Sequence, residues 1–177
     1  MAQDETLPQL LLRNYKEYGN TLVAMRKRDR GIWQEYTWKD YYENVKYFGL
    51  GLVALGLERG DKIAILGDND PQWYWAELGA QSFGGVAAGI FIDCMPDEVK
   101  YIVGLFAAKF LVAKDQEQVD KALEIKGELP KLKKVIFWDP KGLWRYEDPI
   151  LISFEEVQTL GREYERSHPG LFEENVA

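Results

Sequence analysis

A chain of 177 residues can bury about 70% of the surface it exposes when unfolded, enough for one core and a single domain. With 46% apolar and 14% aromatic residues it is not a disordered segment, and its net charge of −7 excludes a protein built to track nucleic-acid phosphates through Lys and Arg. One cysteine, Cys94, and one histidine, His168, leave no internal disulfide and too few soft ligands for a structural zinc site, which points to a reducing, cytoplasmic compartment. No secretory signal is recognised at the N-terminus. The longest uncharged stretch, Leu78 to Ile92, is 15 residues, shorter than the roughly 20 apolar residues of a spanning helix. A peripheral membrane contact is left open.

In chain order, the first predicted element is a β-hairpin over 21–36, where residues alternate around a turn at Gly31. The basic run Arg26-Lys27-Arg28-Asp29-Arg30 falls at its tip, where a solvated edge is a plainer use than contact with an anionic ligand or a lipid headgroup. Thr37 with Asp40 three residues on signals a helix start, and Tyr41, Val45, Phe48, Leu52 and Leu55 keep helical spacing up to Gly60. A short apolar run, a loop and an amphipathic helix then recur three times. The strands are expected at 62–66, 86–92 and 110–113, and the helices at 71–83, 96–106 and from Asp115 to about Leu129. A further strand is expected at 135–138. Such alternation requires parallel crossovers, so residues 37–140 read as an α/β core with a parallel sheet flanked by helices. Residues 141–177 read as a connecting segment followed by a helix that Ser153 and Glu156 cap, with no element expected after His168-Pro169-Gly170.

Several residues invite a functional reading and have a simpler one. Gly49, Gly51 and Gly56 lie within the predicted helix, not in a strand-to-helix turn, so they suit close packing of the helix against the sheet rather than a pyrophosphate. Gly84-Gly85 suits a helix terminus. Asp68, Asp70 and Asp93 follow strand ends, where open α/β sheets bind ligands and an acidic pocket would suit a metal ion, yet each fits a simpler turn, loop or N-cap role. His168 has no nucleophile nearby in sequence, and Cys94 sits beside acids that disfavour its thiolate. Of the aromatics Trp73, Tyr74 and Trp75, for which core burial is the plainer use, Trp73 is the candidate for a wall of an acyl pocket.

The stretch Gly60–Val103, with Asn69, Trp73, Ala76-Glu77-Leu78-Gly79-Ala80 and Gly84-Gly85-Val86 at their spacing, resembles the opening part of the AMP-forming acyl-CoA synthetases. The segments Gln116–Lys121 and Ser153–Val157 resemble the long-chain fatty acid branch. The resemblance implies that residues 1–177 form part of an N-terminal AMP-binding domain, ending before the Ser/Thr/Gly-rich phosphate loop that closes in Pro-Lys-Gly. It implies a parent that joins a fatty acid to coenzyme A using ATP and Mg2+. No catalytic, cofactor-binding or metal residue is then expected in this chain, which would be inactive alone. The expected partners are the remainder of the ligase and a second copy of the chain. The alternatives are a flavodoxin-like module for a small ligand and a pure interaction domain.

Overall fold

The computed structural model describes residues 5–177. Helix α1 (Leu7–Tyr18) opens the fold, although the sequence reading placed no element there. It starts with a capping box: the Thr6 N–H donates to Gln9 Oε1 at 2.8 Å and the Gln9 N–H returns to Thr6 Oγ1 at 3.4 Å. Strands β1 (Val23–Asp29) and β2 (Ile32–Thr37) then pair antiparallel as the expected hairpin. The two loop residues, Arg30 and Gly31, both take positive φ, 46° and 85°, which matches the twist of a two-residue turn.

Helix α2 (Trp38–Ala54) carries the capping box of Thr37 and Asp40. It does not run on to Gly60. It ends at Leu55, and Gly56 at φ 92° turns the chain out of the helix, so Gly56 is a terminus residue and not a mid-helix one. Gly60, also at positive φ, instead leads into the first strand of the main sheet, its N–H donating to the Gly84 carbonyl at 2.9 Å.

The alternating units follow as β3 (Lys62–Leu66), α3 (Pro71–Ser82), β4 (Val86–Ile90), α4 (Pro96–Phe106), β5 (Phe110–Ala113), α5 (Gln116–Ile125) and β6 (Lys134–Phe137). A 3-10 turn, Lys126–Glu128, extends α5. Beyond residue 141 come a short strand β7 (Leu151–Ser153), α6 (Phe154–Ser167) and α7 (Leu171–Val176). The five strands form one parallel sheet in the order β4-β3-β5-β6-β7.

Alternate residues of the central strands feed two cores. Ile63, Ile65, Phe110, Val112 and Ile136 face the layer of α1, α2, α3, α6 and α7, whereas Ala64, Leu66, Leu111, Ala113 and Val135 face α4 and α5. Cover on both faces explains why β3 and β5 are nearly uninterrupted apolar runs. Phe154, Val157, Phe172 and Val176 lie in the first of these cores, so the C-terminal helices are built into it. Gly49 and Gly51 do serve close packing, but against other helices. A Cβ on Gly49 would meet the Gly79 carbonyl of α3 at 2.8 Å, and one on Gly51 the Val157 carbonyl of α6 at 2.0 Å.

Candidate functional site

The C-terminal ends of β3 and β4 open into a cleft of about 360 Å³ lined by Gly67, Asp68, Asn69, Trp73, Gly89, Ile90, Phe91 and Ile92. The parallel register sets Leu66 beside Ile90, which brings the two strand-end loops together. Pro71 opens α3 so that Trp73 falls in its first turn. The half-buried Trp73 ring lies over Gly89, where a Cβ would come within 3.0 Å of Cζ2, and meets Tyr74 edge-on at 5.4 Å between centroids. Trp73 therefore both packs on the core and faces the cleft. Trp75 is buried, against Tyr36 at 5.4 Å.

The strand-end acids are engaged by the chain itself. Asp68 accepts from Lys114, and this bond raises the lysine above its usual range against the opposing effect of burial. Asp70 stands at the N-cap position of α3, but its side chain makes no capping bond there. It is only 9% exposed and instead pairs with Lys27 at 2.8 Å, while Trp138 Nε1 donates to it at 3.3 Å. The expected cap is thus a bridge joining the hairpin, α3 and the end of β6, and Lys27 is not part of a solvated edge. Arg26 behaves more as expected, pairing with Glu35 across the hairpin at 2.8 Å. Asp93 is exposed.

Glycine space at the end of β3 is filled by a side chain: a Cβ on Gly67 would strike the Trp138 ring at 2.3 Å, which leaves no bare backbone there for a phosphate to approach. Gly84, before β4 at the other end of the sheet, has the left-handed φ of 72° expected of a helix terminus. Among the described residues, no three His, Cys, Asp or Glu side chains gather as metal ligands. His168 caps α6, stacks on Tyr164 at 4.1 Å and brings Nδ1 within 3.0 Å of Ser167 Oγ. Cys94 is half-buried beside the second core.

A second polar cluster escaped the sequence reading. Lys46 of α2 reaches both Glu165 of α6 and, at 2.9 Å, Glu173 of α7, and Tyr42 also donates to Glu173. Burial pushes the Glu173 carboxyl up, but the bonds from Tyr42 and Lys46 outweigh it and hold the group below the usual carboxylate range. No helix of the described residues is long and apolar enough to cross a membrane.

Solved structures that share this fold include a CoA ligase and a carboxylic acid reductase didomain. An anthranilate CoA ligase in complex with anthranoyl-AMP superposes with a TM-score of 0.74 at 22% identity, covering 86% of this chain and 27% of that one. The A-PCP didomain of carboxylic acid reductase from Segniliparus rugosus, in complex with AMP, gives 0.75 at 16% identity, covering 92% and 27%. In sequence the chain is 31% identical over 158 residues to a long-chain-fatty-acid–CoA ligase of Xenopus laevis, and 32% identical over 158 residues to one of Bos taurus. Each alignment takes in 89% of this chain and 21% of the relative, so the chain spans about a fifth of those proteins. The AMP-binding enzyme family matches residues 13–160, and the chain belongs to that family.

Proposed function

We propose that this chain is part of an AMP-forming long-chain fatty acid–CoA ligase. The parent would activate a fatty acid with ATP to an acyl adenylate and pyrophosphate, then pass the acyl group to coenzyme A with release of AMP. The family match over residues 13–160, reinforced by identity above 30% to long-chain ligases, is the observation that carries this reading.

Within such a parent, residues 1–177 form part of the N-terminal domain and supply packing support to a site whose charged groups lie elsewhere. Trp73 is the one side chain we assign to an acyl-pocket wall, because its ring is half-exposed to the cleft at the ends of β3 and β4. ATP, Mg2+ and coenzyme A are assigned to residues outside this chain. The filled space at Gly67 and the lysine-paired Asp68 and Asp70 support that assignment, since none offers a cradle for phosphate. Adenylation depends on positioning and charge neutralisation, so the chain by itself is inactive. Strand β4 forms an edge of the sheet, beside Phe91 at 86% and Met95 at 65% exposure, and such surface promotes self-association.

ATP–pyrophosphate exchange with a long-chain fatty acid tests the reading directly. The purified chain should show none, and exchange in a clean preparation would overturn its assignment as an inactive part. The full-length protein should yield acyl-CoA and AMP; ADP, or no thioester, would remove the ligase assignment. In that parent, Trp73→Ala should shift preference among acyl lengths while the protein stays folded. A loss of stability without such a shift would return Trp73 to the core.

A further inference from the structure

The end of the sheet opposite the cleft has a different character. The start of β3, the start of β5 and the loop leading into β6 surround an open cavity of about 480 Å³ whose lining includes Lys62, Lys109, Lys131 and Lys133. Asp61 is the one carboxylate in that lining, and Lys109 takes it at 2.5 Å. Lys62 lies over the Phe106 ring at 5.2 Å, while Lys131 and Lys133 are exposed and make no ion pair among the described residues. Uncompensated positive charge is thus concentrated at one end of a chain whose net charge is −7.

Apolar side chains stand next to it. Helix α4 ends at this cavity, where Ala107 forms part of the lining. Leu105 is 73% exposed and Tyr101, one turn earlier on the same helix face, is 68% exposed. A Cβ on Gly104 would lie 3.6 Å from Leu129 Cδ2, so the last turn of α4 runs beside the loop that carries Lys131 and Lys133. Glu128 is held by Lys100 at 3.1 Å, and exposed Glu58, whose N–H donates to Asp61, lies in sequence beside exposed Arg59.

We propose that this end of the molecule, centred on Lys131, Lys133 and Leu105, docks on an anionic phospholipid surface. A headgroup layer supplies phosphates for the lysines and an apolar boundary for Leu105 and Tyr101, so both halves of the patch are used. A soluble anion would leave the apolar half in water. Nucleic acid would do the same, and the negative charge of the whole chain opposes it. Lipid capture of this kind needs no step of the ligase reaction, so its failure would leave the ligase reading untouched.

The test is co-sedimentation of the 177-residue chain with vesicles of phosphatidylcholine alone or mixed with phosphatidylserine. Capture is expected on the mixed vesicles only, with release as NaCl is raised. Each basic side chain near such a surface is worth about 5-fold in partitioning, so Lys131→Glu with Lys133→Glu should weaken capture by at least roughly 25-fold. Leu105→Asp should weaken it as well. Lys16→Glu with Arg166→Glu, on exposed positions at the ends of α1 and α6, should leave capture nearly unchanged, with circular dichroism confirming that every variant is folded. Equal binding to neutral vesicles, no binding, or undiminished binding by the Lys131/Lys133 variant would each overturn the proposal. So would a calorimetric isotherm for inorganic phosphate, lost in that variant, without vesicle capture, which would make the cavity a soluble-anion pocket.

Discussion

Adding one methyl group to Gly161 should cost the chain at least about 3 kcal/mol. Gly161 of α6 faces α2, where a Cβ would sit 1.9 Å from the Tyr47 carbonyl oxygen and 2.9 Å from the Gly51 amide nitrogen. Carbon and oxygen settle at about 3.3 Å, so the two helices must part by well over an ångström. A gap of even 0.5–1 Å forfeits roughly a quarter to a half of each contact along the interface, which here includes the stacked Phe48 and Phe154 rings and Val157. The obstructing atoms are backbone, so no rotamer change relieves them. The better helix propensity of alanine returns about 1 kcal/mol at most. Gly104→Ala is the matched control, because its Cβ makes only an ordinary contact at 3.6 Å and should raise stability by about 0.5–1 kcal/mol. Urea unfolding followed by tryptophan fluorescence and circular dichroism measures both. In the double variant Gly51→Ala with Gly161→Ala, the second methyl should cost less than it does alone, since the first has already parted the helices. Gly161→Ala within about 0.5 kcal/mol of the native chain, at an unchanged denaturant slope, would refute the close-packing argument.

Asp70→Asn should destabilise the chain by about 2 kcal/mol, as it removes the charge facing Lys27 and Trp138 in a nearly buried site. A double-mutant cycle with Lys27→Met should show coupling, and strict additivity would return Asp70 to a local role. The carboxyl of Glu173 is held below its usual range when folded, so the stability it contributes is present above its unfolded value near pH ~4.3 and is lost as pH falls through the lower folded value. Glu173→Gln should therefore flatten the acid limb of a stability–pH curve, and an unchanged limb would refute the assignment of that limb to this group. Phe91→Asp should reduce self-association in light scattering, and a native chain that stays monomeric at high concentration would remove the idea that the β4 edge pairs copies.

Trp73 could be picked out from sequence as a candidate, but its surroundings could not. Gly89 comes under its ring only because β3 and β4 pair in one particular parallel register. The Lys27–Asp70–Trp138 bridge and the lysine cavity join residues tens of positions apart, and no local pattern marks which lysine meets which acid.

What the sequence determined by itself were features stabilised within a few residues. The capping boxes at Thr37 and Ser153 mark the helix starts they mark in the fold, and the apolar runs of β3 and β5 already show strands covered on both faces. The Thr6–Gln9 box before α1 was equally local and was overlooked. Tertiary structure alone decided β7 and α7. A three-residue strand exists only because β6 offers it partners, and a six-residue helix is too short to hold together in water until Phe172 and Val176 are buried. It also decided the strand order and the ion pairs, because those depend on which distant surfaces meet once the chain has closed on itself.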